Sequence, residues 1–262
     1  MSSHGDHRPP PSSDPSGPVR RRRLSSRALT GIVAAAAVLV LGLGGFLIGS
    51  RIYADQRNAA APEAFTATAE ASAASDGGGG GSTGAPAAGE VGGTWTVAEG
   101  SQAGYRVAEV LNGQDVTVVG RTSSVTGSAE ITGTSLSETR IVVDLASVET
   151  DAAQRDEYFR TRAIDTAAHP EAVFTLTAPV DVAALAETGT ATVTVPGTLE
   201  INGQTQDVRI ALTLARSQDG TLTVVGAADA TWSDYGVEAP DLGFVSVEDA
   251  GQIEFSLVLA AA

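Results

Sequence analysis

Between Arg155 and Leu176 the chain reads RDEYFRTRAIDTAAHPEAVFTL, which gathers most of the groups able to do chemistry. Arg155, Asp156 and Arg160 are charged, Tyr158 and Phe159 are aromatic, and His169 is the sole histidine outside the N-terminal tail. As a hydrolytic site, His169 would be the base, Asp156 or Asp165 would orient it, and a Ser or Thr would attack. The rest of the sequence gives that reading no support. No G-x-S-x-G elbow stands between a strand and a helix, and His169 directly precedes Pro170 where a strand pattern begins. The chain has no Cys, so thiolate chemistry, disulfides and Cys-held metals are excluded. Its basic residues are all Arg, which removes Schiff-base and phosphate-loop lysines. One histidine cannot furnish a His cluster, and no D-x-D-x-D-G loop offers calcium ligands. Neither catalysis nor a metal site is expected. The better reading is structural: Arg155, Asp156 and Arg160 form ion pairs that pin a helical excursion, while Tyr158 or Phe159, with Ile164, plugs or gates an opening.

The elements that would hold this stretch are strands. ATVTVPGTLEI puts Val193, Val195, Leu199 and Ile201 on one face. DVRIALTLA does the same with Val208, Ile210, Leu212 and Leu214, and QIEFSLVLA with Ile253, Phe255, Leu257 and Leu259. Tyr105 and Val107 alternate in AGYRVAEV. Such alternation marks strands with one buried and one wet face. Asn202-Gly203 supplies the positive φ angles of a tight hairpin, and Thr132–Glu138 and Ser217–Thr221 read as two more. About eight strands joined this way form an antiparallel meander, closed as a barrel or packed as a sandwich; closure removes exposed edges. Two stretches break the period. DAAQRDEYFRTRAID has helical spacings with Asp151 as a candidate N-cap, and DVAALAE is a second short helix.

Before the strands come three segments. Residues 1–27 are rich in Pro, Ser and Arg and read as a disordered basic cytoplasmic tail. Residues 28–49, ALTGIVAAAAVLVLGLGGFLIG, carry no charge and are long enough to span a bilayer. Arg20–Arg23 and Arg27 precede the run, so the positive-inside rule leaves the N-terminus in the cytoplasm and the rest outside. A cleavable signal peptide is the rival, but its apolar region would be shorter and SRIYADQ offers no clean cleavage site. An uncleaved transmembrane signal anchor is expected. Residues 50–93, rich in Ala, Gly, Ser and Pro, read as a flexible linker with an end-to-end distance on the order of 35 Å. From Thr94 to Ala262, 8 Arg face 24 Asp and Glu. An acidic domain repels phosphate backbones, so no nucleic-acid partner is expected.

The order GTWTVAEGSQAGYRVAEV, GRTSSVTGSAEI, VDLASVETDAAQRDEYFR, IDTAAHPEAVFTL, PGTLEINGQTQDVRIALTLAR and ATWSDYGVEAPDLGFVSVEDAGQIEFSLVL resembles the YceI family across residues 94–262. The likeness is to its actinobacterial, membrane-anchored branch in particular. RDEYFR followed by HPEAVFTL, and GTLEINGQTQDV, carry most of it. The resemblance implies an all-β, lipocalin-like antiparallel barrel of eight strands with one or two short helices, behind a single transmembrane helix. It implies binding rather than catalysis: a polyisoprenoid, of quinone or polyprenol type such as a menaquinone, held in the lumen. Two departures bear on the headgroup. A His common after the first strand is absent, with Glu109 in that region, and the family's HG is Asn202-Gly203 here.

On this reading the lumen is lined by Tyr105, Val107, Ile141, Val143, Phe159, Phe174, Leu176, Val195, Leu212, Trp232, Tyr235 and Phe255. Arg155, Asp156, Arg160, His169, Pro170, Asn202 and Gly203 form the structural motif. Residues Thr231–Asp249 are expected as an ordered loop near the barrel mouth. The alternative is a cell-envelope interaction or stress-related domain whose barrel is filled by its own side chains. Related barrels pair, so a homodimer is among the expected assemblies.

Overall fold

The computed structural model describes residues 51–65, 88–241 and 243–262. The tail, the apolar run 28–49 and much of the linker lie outside them. Among the described residues no helix is long and apolar enough to cross a membrane. The chain divides into two compact units, Met1–Gly49 and Ser50–Ala262, and the second carries the fold.

Eleven strands are present among the described residues: β1 (Gly93–Val97), β2 (Gln102–Leu111), β3 (Gln114–Thr122), β4 (Val125–Thr132), β5 (Ser135–Asp144), β6 (Glu171–Leu176), β7 (Val180–Asp181), β8 (Thr190–Ile201), β9 (Gln204–Arg216), β10 (Leu222–Thr231) and β11 (Val245–Ala261). Eight of them close a ring in the order β1-β4-β5-β6-β8-β9-β10-β11, and β11 returns to β1. Every pairing is antiparallel. The barrel reading therefore holds and the sandwich does not.

Closure depends on the length of β11, 17 residues. Leu259–Ala261 pair with β1, while residues 245–256 pair with β2. The β2–β3 hairpin thus extends the wall at one end, and among the described residues no strand ladder covers the far edge of β3. A single bridge, Arg121 to Glu149, joins it to the segment after β5. The expected hairpins at residues 132–138, 202–203 and 217–221 are all formed. Asn202 and Gly203 have φ of 51° and 72°, the two positive angles that such a turn needs.

One end of the barrel is closed. Helix α3 (Ala183–Thr188) stops at Gly189, whose left-handed φ of 77° lets its N–H return to Leu185 O at 3.0 Å. Val182 N–H donates to Thr134 O and Arg216 N–H to Gly189 O, so the helix is tied to the β4–β5 turn and the end of β9. Leu185 is fully buried in the core cluster that contains Trp95, Leu136, Leu214 and Leu222.

The other end is fenced by irregular chain. Between β5 and β6 lie helix α2 (Ala153–Tyr158) and a π-helical turn (Phe159–Ala163). Between β10 and β11 lies a 3-10 turn, Trp232–Tyr235, and the loop beyond it. The excursion after β5 is helical as expected, but Asp151 does not cap it. Ala152 is the N-cap and no side chain caps the helix, because the Asp151 carboxylate is drawn to Arg155 and Arg57.

Parts of the expected linker, residues 51–65 and 88–93, are among the described residues. Residues 51–60 are helical, here helix α1, and Val91 is buried. Position-specific contacts with the barrel hold these described residues, which composition alone does not reveal.

Candidate functional site

A cavity of about 610 Å³ occupies the barrel, within the range of roughly 300–1,000 Å³ usual for small-molecule sites. Its wall is made by the inward residues of nearly every strand: Ala103, Tyr105 and Val107 on β2, Ile141 and Val143 on β5, Phe174 on β6, Val195 and Leu199 on β8, Ile210 and Leu212 on β9, and Phe255 and Leu257 on β11. The lumen is hollow, so the side-chain-filled barrel is not what this sequence builds.

Ten of the twelve expected lumen residues line the cavity: Tyr105, Val107, Ile141, Val143, Phe159, Phe174, Val195, Leu212, Trp232 and Phe255. Leu176 and Tyr235 do not. Leu176, the last residue of β6, packs against the core cluster that holds Val182 and Leu185. Tyr235 is buried in a second cluster with Leu145, Ile164, Ala172, Leu199, Ile201 and Ala230. Burial raises the pKa of its hydroxyl.

Near the mouth three aromatic rings meet. Tyr105 stacks on Phe159 at 5.5 Å with 11° between planes, and Trp232 meets Tyr105 edge-on at 6.1 Å, geometries that suit the ring quadrupoles. Tyr105 lies directly over Gly120 of β3, where any Cβ would enter its ring. Burial pushes the Tyr105 hydroxyl up to about 12; Arg155 opposes that shift, and Asp156 and Glu109 add to it.

Two charged residues reach into this apolar wall. Glu109, two positions on from Val107 on the same face of β2, is 5% exposed. Arg155 Nη2 is 3.6 Å from Glu109 Oε1, and Arg155 Nη1 is 2.6 Å from Asp151 Oδ1. The expected ion pairing of Arg155 is therefore present. Asp156 is different: among the described residues it forms no ion pair. Its buried carboxylate accepts from the Thr150 backbone N–H at 2.8 Å and hydroxyl at 2.7 Å, holding the turn into α2. Among the described residues Arg160 makes only a 3.6 Å contact with exposed Glu157.

His169 and Pro170 lie outside the cavity wall. His169 is exposed and its ring packs on Gly203, and Pro170 O accepts from Leu145 N–H at 2.8 Å. Asn202 Nδ2 donates to Tyr235 O at 3.3 Å. The motif residues thus join the β5–β6 excursion, the β8–β9 hairpin and the 3-10 turn into one collar. Residues 237–240, 245 and 247 also line the cavity, which places the expected loop at the mouth. Among the described residues no group of His, Asp and Glu could hold a metal ion.

Sequence reasoning missed Trp95, Glu109, Tyr53 and Arg57, all on the cavity wall. The period of two from Tyr105 points to Glu109. Trp95 sits in a short first strand whose inward face has too few alternations to read. Tyr53 and Arg57 come from the helix in the linker and carried no signal.

A family model for the YceI-like domain matches residues 95–259. Among solved structures, a polyisoprenoid binding domain from Saccharophagus degradans, implicated in plant cell wall breakdown, aligns at a TM-score of 0.53 and 21% identity, covering 64% of this chain and 98% of that one. BcnA of Burkholderia cenocepacia aligns at 0.46 and 21% identity, over 59% and 95%. No curated protein matches. The family match runs over the whole barrel and most of the chain, and the chain belongs to the YceI-like domain family.

Proposed function

We propose that the chain is a membrane-anchored, extracytoplasmic lipid-binding module that holds a polyisoprenoid in its lumen, without catalysis. The observation that carries this is the hollow apolar cavity of about 610 Å³. Each CH₂ removed from water is worth ~0.8 kcal/mol, so a five-carbon isoprene unit contributes about 3–4 kcal/mol before ordering costs. A tube of apolar side chains needs no further chemistry to hold such a chain.

The mouth favours an uncharged headgroup. Glu109 offers a buried acceptor and Arg155 a donor, the pair needed for a quinone, quinol or alcohol. The charged residues that line the cavity, Glu109 and Glu238 against Arg57 and Arg155, balance, so a diphosphate would meet no net positive charge. A menaquinone-type lipid or a polyprenol fits these demands. The uncharged run 28–49 supports the anchor, and an anchored carrier meets a ligand that never leaves the membrane.

The test is native mass spectrometry with solvent extraction on the full chain purified from a bacterial host in mild detergent. A co-purifying isoprenoid at near one per chain supports the reading, and its mass names the ligand. A clean apo mass, with no uptake of added menaquinone or polyprenol, sinks it.

A further inference from the structure

We infer that the cavity mouth is a lipid-facing portal, held against the bilayer by residues 51–65, a surface that rests on the membrane-anchored reading above. Helix α1 has two working faces. Tyr53 and Arg57, one turn apart, line the cavity, and Arg57 forms an ion pair with Asp151 at the start of the excursion. Ala54 and Asn58, also one turn apart, face the barrel wall. Ala54 is buried. The Asn58 amide makes a fork on the uncovered edge of β3, donating to Asp115 O at 2.9 Å and accepting from Thr117 N–H at 2.8 Å.

The chain after α1 continues over the outside of the wall. Pro62 O accepts from Arg106 at 2.7 Å, and Glu63 O accepts from Arg121. The Phe65 ring lies 3.9 Å from the Arg121 guanidinium. Beneath them Glu254 of β11 is 2% exposed and pairs with Arg106 at 3.3 Å and with Arg121 at 2.8 Å. A carboxylate on the outer face of a barrel is normally wet. Here the segment that leaves the apolar run covers it, so the contact is specific and not a passing touch of a tether.

The clamp seats beside the mouth the residues that follow the uncharged run. The uncharged run ends at Gly49, four residues before Tyr53, a separation of at most about 14 Å even if fully extended. The exposed large hydrophobic residues among those described are Ile52, Tyr53, Tyr158 and Phe244. Tyr53 and Tyr158 line the cavity, and Phe244 adjoins Val245, which also lines it. The closed end, under α3, has none. Large apolar side chains gathered at one end of a soluble domain mark an interaction surface, and amphipathic rings such as Tyr suit a membrane interface. A lipid chain passes from the bilayer into the lumen without crossing water.

The chain has no Cys, so single labels are simple to place. The full chain is reconstituted in vesicles of phosphatidylethanolamine and phosphatidylglycerol that carry a lipid with a spin label near the headgroup. An environment-sensitive fluorophore is attached to Tyr158→Cys, to Phe244→Cys, or to Gln218→Cys in the β9–β10 turn at the closed end. The expected result is strong quenching at 158 and 244 and little at 218, with Asn58→Ala bringing the 158 signal down toward that of 218. Flotation in a density gradient reports anchoring separately. A chain that floats with its vesicles but quenches equally at all three sites overturns the portal and leaves the anchor standing. A chain that does not float overturns both. Unchanged quenching in Asn58→Ala overturns the role of the clamp.

Discussion

The His169 ring lies against Gly203, so close that a Cβ at 203 would stand 2.7 Å from His169 Cε1. Gly203 is also left-handed, with φ of 72°. Gly203→Ala meets both penalties, strain and collision, and should lose about 1–3 kcal/mol of stability. A urea melt reads the loss, and adding His169→Ala should return the part due to collision. His169→Ala alone should leave lipid uptake unchanged, because the residue holds a collar and does not touch the lumen. A His169→Ala variant that folds but takes up no lipid would contradict this.

The clamp on Glu254 gives a second expectation. Glu254→Gln keeps the shape and removes the charge that Arg106 and Arg121 share. Breaking one side of a buried ion cluster leaves uncompensated charge; with both arginines partly solvated the loss should be about 2–3 kcal/mol. If the Arg106→Ala, Glu254→Gln double variant is no less stable than either single one, the coupling is confirmed; strict additivity rejects it.

Tyr105 predicts an alkaline limit. Its pKa is raised from the ordinary 10.0 to about 12 in the folded barrel. Unfolded chains release this proton first, so the contribution is complete below pH 10 and is lost as pH climbs from 10 toward 12. The loss is at most about 2–3 kcal/mol, at 1.36 kcal/mol per pH unit. Tyr105→Phe should flatten that part of the stability profile. A phenolate titration in the ultraviolet should show one late proton fewer in the same variant. Tyr235, raised in the same direction by burial, remains in the variant.

Lumen volume should set ligand length. Ala129 faces the cavity from β4, and Ala129→Leu projects three further carbons into it. Displacing a comparable length of isoprenoid should weaken a long ligand by about 2 kcal/mol, roughly 30-fold. A shorter isoprenologue should be much less affected. Ala103→Leu, on the cavity wall from β2, repeats the test from a second strand. Equal weakening of long and short ligands would show that the chain does not extend past these residues.

Much of the barrel was legible because alternation is a local signal. Val195 and Leu212 reveal their orientation through neighbours two residues away, and Asn202-Gly203 names its own turn. Pairing along β11 is not local: one strand serves β1 at one end and β2 at the other, and nothing in QIEFSLVLA announces the division. Asp156 was assigned to an ion pair because arginines flank it in sequence, but its partner is Thr150, which the fold brings around. Leu176 is apolar at the end of a strand and Tyr235 is an aromatic residue in a loop at the mouth; only the packing of α3 and of the 3-10 turn separates a core position from a cavity wall. Glu109 was within reach of the same period but was noted only as standing where relatives have a His, and was not placed in the lumen. Asn58 could not be read at all, since its role exists only once β3 presents a bare edge.

That edge has a consequence for how the domain behaves when cut out of its chain. A soluble fragment starting at residue 88 keeps every strand but discards Asn58, and with it the fork that occupies Asp115 O and Thr117 N–H. Two such fragments carry identical vacant ladders, free to zip together antiparallel through β3. Dimers or fibres seen with a truncated barrel would then report the missing helix, and a dimer that persists in the full chain would have to use a different face.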